Sequence, residues 1–188
     1  GTIWFVPSRG SEWEGTSNSN IGSLSPEGVL AEHDVAGFGA IARLVVGPTD
    51  EVWIAGYRGG NPRERLLEVG RLSPSGVPTE VYGIGRKGWI GSMAIADDAI
   101  WVVHERTGRP DTIKRVSIDG GAVRQFALRP RCNAPAVAVG RNGALWFAEA
   151  CSYGRRNESV GLGRGRIGRI APGGQISRRP LLNPRDCL

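Results

Sequence analysis

At 188 residues the chain can bury one sizeable core, and its 29 glycines and 12 prolines beside a hydrophobic content of 40% fit a turn-rich all-β protein. Glycine without a collagen period and the lack of a long polar run exclude fibrous and disordered classes, and no apolar run approaches the roughly 18 residues of a membrane span. The net charge of +6 is carried almost wholly by scattered arginines, with Lys87 and Lys114 the only lysines; no aromatic-basic stripe accompanies them, so no nucleic-acid partner is expected.

From the N-terminus onward, a tryptophan recurs in a fixed setting: Gly1-Thr-Ile-Trp4-Phe5, Glu51-Val-Trp53-Ile54, Ala99-Ile-Trp101-Val102 and Gly143-Ala-Leu-Trp146-Phe147. A second motif follows each in step. It reads Ile21-Gly-Ser-Leu-Ser-Pro-Glu-Gly28, Val69-Gly-Arg-Leu-Ser-Pro-Ser-Gly76, Ile113-Lys-Arg-Val-Ser-Ile-Asp-Gly120 and Ile167-Gly-Arg-Ile-Ala-Pro-Gly-Gly174. A complete unit therefore holds an apolar strand such as Pro135 to Val139, a turn such as Asn142-Gly143, the tryptophan strand, the Ile-Gly-Arg strand and a last strand such as Ile176 to Pro180. The turns are of the kind that tolerates positive φ.

Four-stranded units repeating at this length predict an all-β chain, a β-propeller of four antiparallel four-stranded blades. The blades are expected over residues 1–36, 37–85, 86–129 and 130–183 of a single propeller region, 1–188. Gly1 aligns with Gly143, so the first blade is expected to lack its first strand. An exposed strand edge invites pairing, and the remaining blades of a larger ring or a second protomer are expected to cover it. The tryptophans are expected to fill the space between neighbouring sheets.

The remaining features follow the same order along the chain. Ser8 to Asn20, with Trp13, is an enlarged blade loop, and Ser152 to Gly165 is its equivalent in the fourth blade; loops of this kind carry binding specificity. His33 falls in an outer strand and reads as a surface residue. Cys132 and Cys151 bracket the Asn142-Gly143 turn, about one diagonal step apart, so that a small register adjustment permits a disulfide; two buried thiols or a bridge to Cys187 are the alternatives. The Cys132–Cys151 bridge is the favoured reading and implies a secreted or periplasmic bacterial protein. Gly163-Arg-Gly-Arg-Ile-Gly168 spells G-x-G-x-x-G, but it runs into a strand rather than a helix and is read as a loop.

Leu145-Trp-Phe-Ala-Glu149 followed by Ile167-Gly-Arg-Ile-Ala-Pro-Gly-Gly174 resembles the repeat of the virginiamycin B lyase family, which is related to other propeller classes such as the NHL-type and regucalcin-like proteins. The resemblance is clearest in the fourth blade and weakest in the third, where Lys114 replaces a glycine. It implies a Mg²⁺-dependent lyase that opens cyclic depsipeptide streptogramin B antibiotics by elimination. A carboxylate-held cation would stabilise the developing enolate while a histidine removed the α-proton.

Carried onto this sequence, Glu149 takes the family's glutamate position, whereas Cys151 stands where the histidine base belongs. One blade earlier His104 is equivalent to Glu149, with Glu105 beside it and Arg106 at the position of Cys151. The candidate site is thus His104 and Glu149 as catalytic groups, with Glu105 and Glu149 as ligands for Mg²⁺, on the reasoning that equivalent positions face one another across one end of the ring. The bland reading of the same residues is polar strand ends beside a solvated channel. The displaced histidine favours an extracytoplasmic scaffold that binds a small molecule or a protein on the propeller face, with the lyase as the alternative. A lactonase-like metal hydrolase is a third class, without a supporting carboxylate set.

Overall fold

A computed structural model describes residues 1–7, 19–59, 64–151 and 165–181. Most of the Ser8–Asn20 and Ser152–Gly165 loops, and Cys187, lie outside the described residues. The described residues form fifteen strands and no helix. The first sheet holds β1 (Ile3–Phe5), β2 (Asn20–Leu24) and β3 (Leu30–Asp34). The second holds β4 (Ala40–Val46), β5 (Val52–Arg58), β6 (Leu66–Leu72) and β7 (Pro78–Arg86). The third runs through β8 (Trp89–Ala96), β9 (Ala99–Glu105), β10 (Thr112–Ser117) and β11 (Val123–Ala127), and the fourth through β12 (Cys132–Val139), β13 (Leu145–Cys151), β14 (Arg166–Ile170) and β15 (Ile176–Pro180).

Every sheet is an antiparallel meander in sequence order, and among the described residues the first has three strands where the others have four. The first strands of successive sheets lie together, β4 against β8 and β8 against β12. Each of these three inner strands carries a register shift: between Ile41 and Arg43, Ile90 and Met93, and Asn133 and Ala136. Such bulges sharpen the twist of a strand and re-aim the side chains beyond them.

Burial follows from which faces are covered. In β5 every residue from Val52 to Tyr57 is buried, and in β9 every residue from Ala99 to His104, because a sheet packs on each side. The outer strand β7 alternates instead. Ile21, Phe38, Ile54 and Leu72 form the core between the first and second sheets. Trp53, Leu67, Ile100 and Val102 form that between the second and third, and Trp101, Val103, Leu145 and Phe147 that between the third and fourth. Trp53 and Trp101 thus fill the gap ahead of their own sheets, as expected. Trp146 is 43% exposed, since among the described residues no sheet lies over its face.

His33 departs from the surface position expected of it. Its ring packs against Trp4 in a tilted arrangement with centres 5.1 Å apart and its Nε2 meets Ser23 Oγ at 2.9 Å, while a Cβ added at Gly76 in the next sheet would lie 2.7 Å from the His33 Cβ. It fills space between two sheets.

Candidate functional site

The hairpin of β12 and β13 closes with Val139 opposite Leu145 around Gly143, which adopts a φ of 71°. Continued without interruption, this register would leave Cys132 one residue short of Cys151. The shift between Asn133 and Ala136 brings the cysteines directly opposite each other, with Cα atoms 4.0 Å apart, and they form a disulfide. The small adjustment that the sequence called for is this inner-strand bulge.

Glu149 lies beneath the bridge with its side chain enclosed. Arg178 Nε, from β15, donates to its Oε1 at 3.1 Å, and the same guanidinium lies 5.8 Å from the Phe147 ring centre. Glu149 Oε2 has no hydrogen-bond partner among the described residues. The Cys132 and Cys151 sulfurs and a Glu149 oxygen lie within 4.8 Å of one another, but both sulfurs are spent on the disulfide and neither is a thiolate. This group of two sulfurs and one carboxylate does not fit Mg²⁺: a hard cation needs several oxygen ligands and room for water, and this carboxylate is enclosed and paired with Arg178.

His104 and Glu105 are neighbours in β9, so their side chains leave opposite faces of the third sheet. His104 turns toward the second sheet, where its Nε2 meets the Lys87 carbonyl oxygen at 2.7 Å. Glu105 turns the other way, beside Gly91, where an added Cβ would lie 2.5 Å from its Oε1. Glu149, on the same side of β13 as Leu145 and Phe147, faces the gap between third and fourth sheets. The expected convergence of His104 with Glu149 therefore does not form. The two positions are equivalent, and each points into the gap behind its own sheet rather than across a shared axis.

His104 instead helps line a pocket of about 870 Å³ between the second and third sheets. Its base is the turn from β7 to β8, where Lys87 and Gly88 both adopt positive φ, 57° and 107°. Three groups hold that turn. Arg65 Nη2 and Nε donate to the Gly88 carbonyl at 2.8 and 3.1 Å, the Tyr57 hydroxyl accepts the Ile90 N–H at 2.8 Å, and the His104 ring takes the Lys87 carbonyl. Arg65 is itself clamped between Tyr57 and Trp89, 3.8 and 3.9 Å from their ring centres. Since a carbonyl only accepts, His104 Nε2 carries the proton and its buried Nδ1 is left without a hydrogen-bond partner among the described residues. Burial, more than the nearby Lys114 and Arg106 charges, holds the His104 pKa below its ordinary value. Burial likewise lowers that of Lys114 and raises that of Asp111.

No protein-family model matches the chain, and no curated protein matches its sequence. Among solved structures it is similar to virginiamycin B lyase from Staphylococcus aureus, at 20% identity over 88% of this chain and 50% of that one, with a TM-score of 0.61. It is also similar to the cobalt-substituted apocarotenoid oxygenase of Synechocystis, at 14% identity over 89% of this chain and 45% of the other, with a TM-score of 0.54. The chain spans about half the length of each. The fold is a β-propeller.

The pocket and the disulfide lie at the same end of this propeller, where the inner strands β8 and β12 begin and the tryptophan strands β9 and β13 finish. Sequence reasoning missed Arg178, Arg65 and the pocket itself. One signal was available: in an arginine-rich chain both lysines, Lys87 and Lys114, line this pocket. Lys114 is also the residue that breaks the Ile-Gly-Arg motif.

Proposed function

We propose that this propeller acts as an extracytoplasmic binding scaffold, engaging its ligand at the end where the inner strands begin, and that it performs no elimination. The observation that carries this reading is the setting of Glu149, enclosed beneath a disulfide and neutralised by Arg178. The carboxylate that a lyase would spend on a metal is spent here on joining β13 to β15, and His104 is occupied with holding a turn in another gap. The buried Cys132–Cys151 bridge supports an oxidising compartment outside the cytoplasm.

Incubation with a streptogramin B depsipeptide and Mg²⁺, followed by chromatographic separation and fragmentation mass spectrometry, which distinguish the linear product from its cyclic isomer of equal mass, tests the reading. The expected result is intact substrate with and without chelator. Ring opening that a chelator abolishes would establish the lyase instead.

A further inference from the structure

The cationic pocket between the second and third sheets has no role in the fold that accounts for its charge. Arg86, Lys87, Arg106, Arg109 and Lys114 line it together with His104, and no carboxylate is among its lining residues. Among the described residues, none of the five cations forms an ion pair. Elsewhere arginines do find carboxylates, as in Arg58 with Glu68, Arg115 with Asp98 and Arg178 with Glu149. Asp111, beside Arg106, is a carboxylate acting on this group, and five cations so unevenly matched repel one another, so that a fold keeps them together at a cost unless a further anion joins them.

Two of the cations are held in place. Arg106 donates through Nη2 and Nε to the Pro110 carbonyl at 2.7 and 3.2 Å, and its backbone N–H donates to Asp111 Oδ1 at 2.8 Å. Lys114 Nζ donates to Gln125 Oε1, so neither hydrogen bond neutralises a charge. Buried polar atoms on the same side of the sheet add a second, independent sign. Thr112, the register partner of His104, is fully buried with an unpartnered hydroxyl that can donate to an oxyanion, and His104, 3% exposed with Nδ1 unpartnered, can donate to one on taking up a second proton. Buried polar groups are rarely left so without a ligand or water to complete them.

The origin of Lys114 can be read from the repeat. In the first and fourth sheets the equivalent glycines, Gly22 and Gly168, sit under the rings of Phe5 and Phe147, where an added Cβ would lie 2.2 and 2.0 Å from ring carbon. In the third sheet the residue opposite is Val102, too small to cover the position, and the space holds the lysine chain. One change from the repeat thus turns an inter-sheet packing position into a cation beside the pocket.

We propose that this pocket is an anion-binding site for an organic phosphate or sulfate ester. The several cations match a tetrahedral oxyanion, doubly charged in a phosphate monoester and singly charged in a sulfate ester. A volume of about 870 Å³ exceeds what a free oxyanion needs and leaves room for an organic body against Trp89. The inference rests on the binding reading above and gives it a ligand class.

Calorimetric titration of the intact protein with glucose 6-phosphate, glucose 6-sulfate and glucose tests it. Binding of either ester, weakened by added salt and absent for glucose, is expected, and the stronger of the two identifies the source of the oxyanion. Arg86 and Arg109 are exposed, so the double variant Arg86→Ala/Arg109→Ala keeps the fold and should lose affinity at least about tenfold, as should Lys114→Gln. A downfield shift of the His104 ring resonances in NMR spectra should accompany saturation. Failure of both esters to bind, or binding unchanged in the double variant, would overturn the site while leaving the scaffold reading intact. Ring opening of the depsipeptide, by contrast, would overturn the scaffold reading.

Discussion

His104 links the pocket to the stability of the chain. Its folded pKa lies below the ordinary 6.5 chiefly because burial disfavours the imidazolium; the Lys87 carbonyl and Asp111 oppose that shift, and Lys114 and Arg106 reinforce it. A base with a depressed folded pKa binds its proton less readily when native than when unfolded. Its contribution is therefore fully present above about pH 6.5 and is lost as pH falls through the folded value. Asp111 acts in the opposite sense, since burial raises its pKa from 3.8 and its protonated form favours the native state. Urea unfolding between neutral and mildly acidic pH should show the wild type losing stability as acid is added. The difference between it and His104→Gln, which retains Asp111, should shrink toward low pH. A difference independent of pH would contradict a neutral His104.

The same residue shows what a linear reading can and cannot deliver. That His104 and Glu149 are equivalent was legible, because each lies three residues past its tryptophan. Where their side chains point was not, because it depends on which face of each sheet its neighbour covers. Lys114 stood out as a departure from the motif, yet its meaning required Val102 opposite it.

At the scale of the strand pair, the Trp-Phe and Ile-Gly motifs are two halves of one packing device. Phe147 is the direct register partner of Gly168, and Phe5 of Gly22, so each ring lies across the backbone of the glycine. Gly168 has an ordinary φ, and its need for glycine is steric. Gly168→Ala drives a methyl group into the buried Phe147 ring and should cost about 1–3 kcal/mol by overpacking. Adding Phe147→Val, which reproduces the Val102 arrangement of the third sheet, should make the pair less destabilised than the sum of the single variants. Additive costs in chemical unfolding would contradict the pairing. The inner-strand bulges are the part of these elements that the sequence conceals. A one-residue shift leaves no residue signature of its own, and it shows in the sequence only through Cys132 and Cys151, whose spacing demands it.

At the scale of the whole molecule, the repeat made the architecture legible. Two motifs advancing together specify strand order, antiparallel pairing and the place of the tryptophans, and the four sheets follow them. Trp146 shows the limit of that inference: the motif promises a large ring for a neighbouring sheet, and β13 has only one face covered among the described residues. The likeness to virginiamycin B lyase gives the fold alone, and the residues at the end where β12 begins and β13 finishes have partners within their own sheet. Cys132 and Cys151 cross-link a hairpin, and Glu149 and Arg178 tie β13 to β15.

That reassignment of Glu149 is the centre of the account, and denaturant unfolding of the wild type and Glu149→Gln, each with excess Mg²⁺ and with chelator, tests it directly. Breaking a buried pair from one side is worth about 3–5 kcal/mol, and because Arg178 retains some solvent contact the loss should fall near the lower figure. Mg²⁺ should leave both proteins unchanged. A ligand present at a hundred times its dissociation constant stabilises by about 2.7 kcal/mol, so a Mg²⁺-dependent gain of that order in the wild type, absent from Glu149→Gln, would contradict the account and return Glu149 to a metal site.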